Sequence, residues 1–270
     1  MILGFLGKGG SGKSTVATLF TKYLLENKKT VLAIDNDHNM DFSYNLDAPS
    51  SMNYIGQGLD DVFSYMGITS TLDTLVLPQN SFFAISPKDP ITEKYSIDKG
   101  NGLHLMIAGP HTEEIMIGKQ CSHVMTTPLK AYLPFFALNE NEYVIIDEKA
   151  GADGVGTGIT TGFNAGVIIV EPTPHGIKAA LQIAKMLRFY NTPYYYILNK
   201  VRAGTNIEEI QKQLDKRIIG VLSYGEAYLD LSLQQETKNV FSYLCDELKK
   251  LQDTRKVRSE SRLQKLKSMQ

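Results

Sequence analysis

Cysteine is scarce and tryptophan is absent: the 270-residue chain holds only Cys121 and Cys245 of the first and none of the second. Two cysteines cannot build a disulfide framework, and their scarcity fits a reducing compartment. No excess of charge exists either. A formal net charge of −1 gives no global pull toward nucleic acid or anionic lipid. No apolar run reaches the roughly 18 residues that a membrane helix needs. Internal repeats and low-complexity segments are missing. The first residues run straight into an apolar stretch with no basic n-region or cleavage site, so the expected compartment is the cytoplasm. What is present is an apolar fraction of 43%, enough for a sizeable core. The length suits one large domain, expected over 1–250, with a less readable insert at about 40–100 and a basic helical extension over 251–270.

The most informative stretch is Gly7 to Thr15, GKGGSGKST. It follows the apolar run Met1-Ile2-Leu3-Gly4-Phe5-Leu6, which reads as a buried strand, and precedes Val16 to Leu25, which has helical apolar spacing. Its spacing fits G-x-x-x-x-G-K-[ST], with Gly7, Gly12, Lys13 and Ser14 at the fixed positions. Small residues let the backbone wrap a phosphate with its N–H groups, and the new helix adds its positive end. The candidate nucleotide ligands are Gly7, Gly9, Gly10, Ser11, Gly12, Lys13, Ser14 and Thr15. Lys13 is placed to pair with β and γ phosphates, and the Ser14 hydroxyl to ligate Mg²⁺. The expected ligands are ATP or ADP with Mg²⁺.

Further apolar runs repeat the pattern of a strand ending in polar residues. Thr30 to Ile34 ends in Asp35-Asn36-Asp37-His38, and Glu142 to Ile146 ends in Asp147. Carboxylates at such strand ends face the ligand crevice of an open α/β sheet. Asp147 suits the Mg²⁺ hydration shell. Leu103 to Ala108, with His104 partly buried, reads as a strand, as do Gly166 to Val170, Tyr194 to Leu198 and Ile218 to Leu222. Helices are expected over Val124 to Leu138, Gly176 to Tyr190 and much of Lys238 to Gln270, while Leu59 to Met66 and Ser81 to Ser86 read as short helical or strand-like pieces. The alternation argues a parallel sheet with helices on both faces.

With Lys8 just inside the loop, the chain resembles the deviant Walker A family, KGGxGK[ST], which includes MinD, ParA, the nitrogenase iron protein and metallochaperone ATPases. The resemblance implies an α/β, three-layer P-loop NTPase fold with a mostly parallel central sheet. It implies ATP hydrolysis in a nucleotide-sandwich homodimer, with Lys8 reaching the partner's nucleotide. It also implies that Asn199 reads adenine, that Lys200 packs beside the base, and that Ser223 to Asp230 closes over it. The family's D-x-D-P pattern falls on Asp35 to His38, with His38 in place of proline, and the match implies that Asp37 orients the attacking water and that Asp35 lies nearer the Mg²⁺ shell. The family's D-x-x-A-G pattern is matched by Asp147, Ala150 and Gly151.

The segment Ile117 to Leu133 resembles the carbon monoxide dehydrogenase maturation (CooC-type) members, which carry C-x-C before a helix. Here the matching residues are Cys121 and His123. The resemblance implies a Ni²⁺ or Zn²⁺ site shared across a dimer and a metalloenzyme client. Thiolate and imidazole suit either ion. A buried cysteine beside a helix-start histidine is the structural alternative. That subfamily usually has an acidic residue where Lys149 stands. Two other functions remain open. A positioning ATPase of the MinD/ParA kind needs a tail that engages membrane, DNA or protein cargo. The tail after Lys249 is basic, but no Phe or Trp follows Phe241 to anchor it, which favours a solvated helix. An ATP-dependent synthetase or kinase would not need Lys8.

Overall fold

In the computed structural model all residues are described except 68–84, 86–87, 157, 215–217, 226–227, 229 and 269–270. The short helical or strand-like piece expected at Ser81 to Ser86 therefore lies outside the described residues, Ile85 apart, and so does part of the expected base loop. Among the described residues the strands are β1 (Ile2–Gly7), β2 (Thr30–Asp35), β3 (Ser96–Gly100), β4 (Leu103–Ile107), β5 (Glu142–Asp147), β6 (Ala165–Val170), β7 (Tyr194–Val201) and β8 (Ile218–Ser223). They form one sheet in the order β3-β4-β2-β5-β1-β6-β7-β8. Every pairing is parallel except β3 with β4 at one edge.

Strands buried on both faces must be apolar at nearly every position, which is why β1 and β6 read as apolar runs throughout and β5 as one between Glu142 and Asp147. Alternate residues feed opposite cores. Ile2, Leu6, Ile34 and Ile146 join one, while Leu3, Phe5, Ala33 and Ile145 join the other. Helices cover both faces: α1 (Lys13–Glu26), α2 (Asp41–Asn45), α3 (Leu59–Met66), α4 (Pro90–Tyr95), α5 (Glu113–Met116), α6 (Thr127–Tyr132), α7 (Ala152–Gly156), α8 (Pro174–Phe189), α9 (Ile207–Gln213), α10 (Gln235–Leu248) and α11 (Arg255–Lys267). α8 starts where Thr173 caps Gly176 N–H at 3.1 Å and Pro174 pre-sets the first turn. It buries Ile177, Ala180, Ile183, Ala184 and Leu187 in the first core. α1 buries Val16, Leu19 and Phe20 in the second. There Phe20 meets Phe241 of α10 edge-on at 5.1 Å. Full burial of such a ring contributes roughly 1.5–3 kcal/mol, enough to hold a helix whose outer face is polar.

Three expectations are corrected. The helix expected over Val124 to Leu138 is only α6, flanked by 3-10 turns at Ser122–Thr126 and Leu133–Phe135. Pro134 removes a donor there and stops a continuous helix. The poorly readable stretch before residue 100 contains the antiparallel edge strand β3, which is largely exposed and so lacks apolar patterning. The C-terminal part is two helices, and the second is not wholly solvated. Arg255, Arg258, Ser259 and Leu263 of α11 are buried. The Arg255 guanidinium donates to Leu133 O at 3.2 Å and Phe136 O at 2.9 Å, and Arg258 donates to Phe163 O.

Arg255→Ala leaves those two carbonyls short of a donor and should cost about 2 kcal/mol in urea unfolding. Glu260→Ala, on the exposed side of the same helix, should stay within about 0.5 kcal/mol. Equal small effects would mean that α11 does not dock as described.

Candidate functional site

β1 lies mid-sheet, and its neighbours β5 and β6 lead into opposite halves. The crevice beyond its carboxyl end is the natural ligand position in such a sheet. There Lys8 to Gly12 turn the chain from β1 into α1. Gly12 has φ +92°, and a Cβ on it would lie 2.3 Å from Asn199 Nδ2, so both conformation and space require glycine. Ser11 N–H donates to Lys8 O at 3.1 Å, closing the turn. From the end of β7, Asn199 Nδ2 donates to Ser11 O at 2.8 Å and Lys200 Nζ to Gly10 O at 2.6 Å. The contacts of these two residues are thus with the loop itself. Lys8, Gly9 and Gly10 are exposed at its tip, whereas Lys13 is only 6% exposed. A cleft of about 500 Å³ opens over Gly12, Lys13, Ser14 and Thr15 and extends to Tyr224 and Tyr228. The Arg202 guanidinium lies 4.5 Å over the Tyr224 ring. The amino-terminal end of α1, 14 residues long, points its unpaired N–H groups into this cleft.

The floor is acidic and dry. Asp35 and Asp147 end adjacent strands in Cα register, and neither has exposed surface. Burial pushes the Asp147 carboxyl up to about 8; Lys13 pulls it down and Asp35 pushes it further up. Ser14 Oγ donates to Asp147 Oδ2 at 2.6 Å, while the buried Asp147 Oδ1 has no partner. Burial also raises Asp35 to about 6, against donations from the N–H groups of Ser43 at 2.7 Å and Asp37 at 3.1 Å. A hydroxyl and an unpartnered buried carboxylate oxygen make a donor set that fits Mg²⁺, a hard cation. Asp37 is half-buried, and its Oδ1 accepts from Asn39 N–H at 3.1 Å.

Spacing did not reveal the side chains between these acids. Glu148 is fully buried, raised to about 8 mainly by burial, and accepts from Asn36 Nδ2 at 3.1 and 3.0 Å. Both residues adjoin acids that the motif did flag, which was the available signal. Asp41 and Asn45 of α2 also line the cleft, and no pattern announced them. His38, in the proline position, uses Nδ1 against Gly109 O at 3.0 Å and packs its ring 4.0 Å from that of His111.

Cys121 and His123 are brought together at the same edge, with Sγ and Nδ1 2.9 Å apart. Cys121 is exposed, which removes the buried-cysteine alternative. Lys149 Nζ donates to Ser122 O, between them, at 3.2 Å. Among the described residues no group of three or more His, Cys, Asp or Glu side chains is placed to hold a metal. One copy therefore offers two ligands.

The three raised acids give the nucleotide-free protein a definite pH dependence. Each keeps a proton when folded that the unfolded chain releases near pH 4, so stability should fall as pH climbs through about 6 and on through about 8. Asp147→Asn keeps an acceptor for Ser14 and removes one of the three buried acids. At pH 8 it should raise the nucleotide-free Tm by roughly 2–4 °C. A Tm that climbs between pH 5 and 8, or that ignores this substitution, contradicts the charge analysis.

The family model for the CobQ/CobB/MinD/ParA nucleotide binding domain matches residues 3–238. Among curated proteins the chain is 26% identical over 248 residues to an uncharacterized ATP-binding protein of Methanocaldococcus jannaschii, covering 88% of this chain and 94% of that one. It is 23% identical over 230 residues to the carbon monoxide dehydrogenase accessory protein CooC of Rhodospirillum rubrum, covering 84% and 85%. Among solved structures, the septum site-determining protein MinD of Pyrococcus horikoshii with Mg-ADP superposes with a TM-score of 0.61 at 16% identity, covering 92% and 95%. A ParA family ATPase of Chlorobium tepidum gives 0.59 at 19%, covering 93% and 99%. The two structural likenesses establish the three-layer fold, and the match over residues 3–238 establishes the lineage: the chain belongs to the CobQ/CobB/MinD/ParA nucleotide-binding family.

Proposed function

We propose that the chain hydrolyses ATP to ADP and phosphate as a switch that closes between two copies of itself, and that the switch governs metal delivery to a metalloenzyme. The observation behind the first part is the Ser14 Oγ–Asp147 Oδ2 contact of 2.6 Å beneath a cleft that Lys13 also lines. Backbone N–H groups from Gly9 to Thr15 hold the phosphates. Lys13 neutralises β and γ oxygens. Asp37 orients the attacking water. Ser14 and Asp147, with Asp35 behind them, hold Mg²⁺, which when bound offsets charge on the phosphates. Lys8, exposed at the loop tip, supplies positive charge to the nucleotide of the other copy. Asn199 and Lys200 brace the loop and border the base.

Supporting the cargo reading is the exposed Cys121–His123 pair at 2.9 Å. Two pairs across a two-fold axis make a Cys₂His₂ donor set, which suits Ni²⁺ or Zn²⁺. The similarity to CooC points the same way. The positioning alternative needs a tail available to a surface, and α11 instead turns Arg255, Arg258 and Leu263 inward.

Lys8→Ala should lower turnover by about 10³-fold, as loss of a cross-subunit cation does, while ATP affinity changes little. A proportional loss of both would place Lys8 in ordinary binding. Size-exclusion chromatography with elemental analysis, with and without ATP and Mg²⁺, tests the cargo. Near-stoichiometric Ni or Zn per dimer, lost in Cys121→Ala, is expected. An ATP-induced dimer that takes up neither metal overturns the delivery role and leaves the ATPase.

A further inference from the structure

The turn after Asp147 is pinned at several points. Asp147 accepts from Ser14, Glu148 N–H donates to Phe5 O at 3.1 Å, and Gly151 N–H donates to Gly7 O at 2.9 Å. The Glu148 carboxylate is clamped by Asn36. With those residues tied to the phosphate loop and to β2, the origin of the Lys149 side chain is set by the nucleotide cleft. Its far end lies elsewhere. Nζ donates at 3.2 Å to the carbonyl of Ser122, the residue between Cys121 and His123. Lys149 is half-buried, and the carboxylates that act on its charge are Glu148 and Asp37. Asp37 belongs to the segment after β2 that faces the cleft. Cys121 acts on that charge from the other side, so the ammonium lies where the Cys121 loop, whose Ser122 carbonyl it holds, meets the acidic residues after β2 and β5.

We propose that Lys149 is the link between the nucleotide cleft and the Cys121/His123 pair: a bound triphosphate draws its ammonium off Ser122 O, and the released loop changes the exposure of Cys121. The bond to Ser122 O is an ion–dipole contact, whereas a bound triphosphate adds full negative charges on the cleft side, and ion–ion attraction is the stronger pull on an ammonium where water is excluded. The pair's metal role rests on the delivery reading above; the mechanical link does not. Lys149 acts here as a positioning residue, since its hydrogen bond goes to the Ser122 carbonyl and not to the thiol or the imidazole.

The test reads Cys121 directly. Iodoacetamide labelling of the full chain, followed peptide by peptide by mass spectrometry, separates Cys121 from the half-buried Cys245. A Lys8→Ala background, checked by light scattering to be monomeric, keeps burial between two copies out of the measurement. The Cys121 labelling rate should differ several-fold between Mg-ADP and Mg-ATPγS. Lys149→Met should bring the two rates together, and Lys149→Arg, which keeps a donor, should restore the difference. Should Lys149→Met fail to fold, Lys149→Gln removes the charge with less apolar bulk. Equal rates in the lysine parent, or an undiminished difference without the lysine, overturn the link. Zn²⁺ protection of Cys121, measured in parallel, separates the two claims. A nucleotide effect without protection keeps the link and removes the cargo; protection without a nucleotide effect does the reverse.

Discussion

Asp35 and Asp147 end neighbouring parallel strands in register, both without solvent exposure, so two carboxylates approach where water cannot screen them. Glu148 adds a third buried acid next along the chain. Such a cluster is tolerable only if protons, cations or dense hydrogen bonding hold it. The surrounding backbone provides each kind of support. Ser43 and Asp37 offer N–H groups to Asp35, Asn36 offers an amide to Glu148, and the phosphate loop delivers Ser14 and the ammonium of Lys13 to Asp147. The loop therefore has two duties, since the glycines that wrap a phosphate also carry these two side chains to the acid. Stability is spent where a dication and a polyphosphate would return it.

The sheet makes this arrangement possible. Because β1, β2 and β5 are parallel and adjacent, their carboxyl ends lie along one edge, and three loops distant in sequence meet there. The same edge carries the loop after β4, which holds Cys121 and His123. The residues proposed to hold the nucleotide and the Cys121–His123 pair are therefore neighbours by topology. Packing holds that edge steady from outside. Phe20 against Phe241 fixes α1, and Arg255 and Arg258 fix the turns around Leu133–Phe136 and Phe163.

What was legible in the sequence follows from how strongly each feature is constrained. A strand buried on both faces has no polar option, so β1, β2, β5 and β6 announced themselves. The phosphate loop did too, because Gly12 has no substitute in its conformation. Legibility failed where burial is partial. β3 is an exposed edge, and α2 is only five residues long. The second half of the expected helix at Val124 was lost to Pro134, whose effect depends on where the chain turns. Buried polar partners were hardest. Asn36 with Glu148, and Lys149 with Ser122, are contacts between loops 112 and 27 residues apart, and no local pattern encodes them. Likewise α11 looked solvated because its buried anchors are arginines, and an arginine that caps backbone carbonyls has the same letter as one in water.

That last ambiguity bears on function. A basic tail with few apolar anchors fits an electrostatic surface contact if its cations point outward. Here the guanidinium of Arg255 goes to two backbone carbonyls and to Asp253, and that of Arg258 to Phe163 O. To lift α11 onto a membrane or a DNA backbone would strip those carbonyls of their donors, a cost that few surface cations recover in physiological salt. Among the described side chains of α11, Val257, 64% exposed, is the one outward apolar residue, where an interfacial helix needs a stripe. The tail is thus better matched to bracing the turn at Ile159–Gly162, which follows directly on the segment after Asp147. Under the proposed link through Lys149, a segment braced at Thr161 would pass displacement toward Ser122 rather than toward the tail.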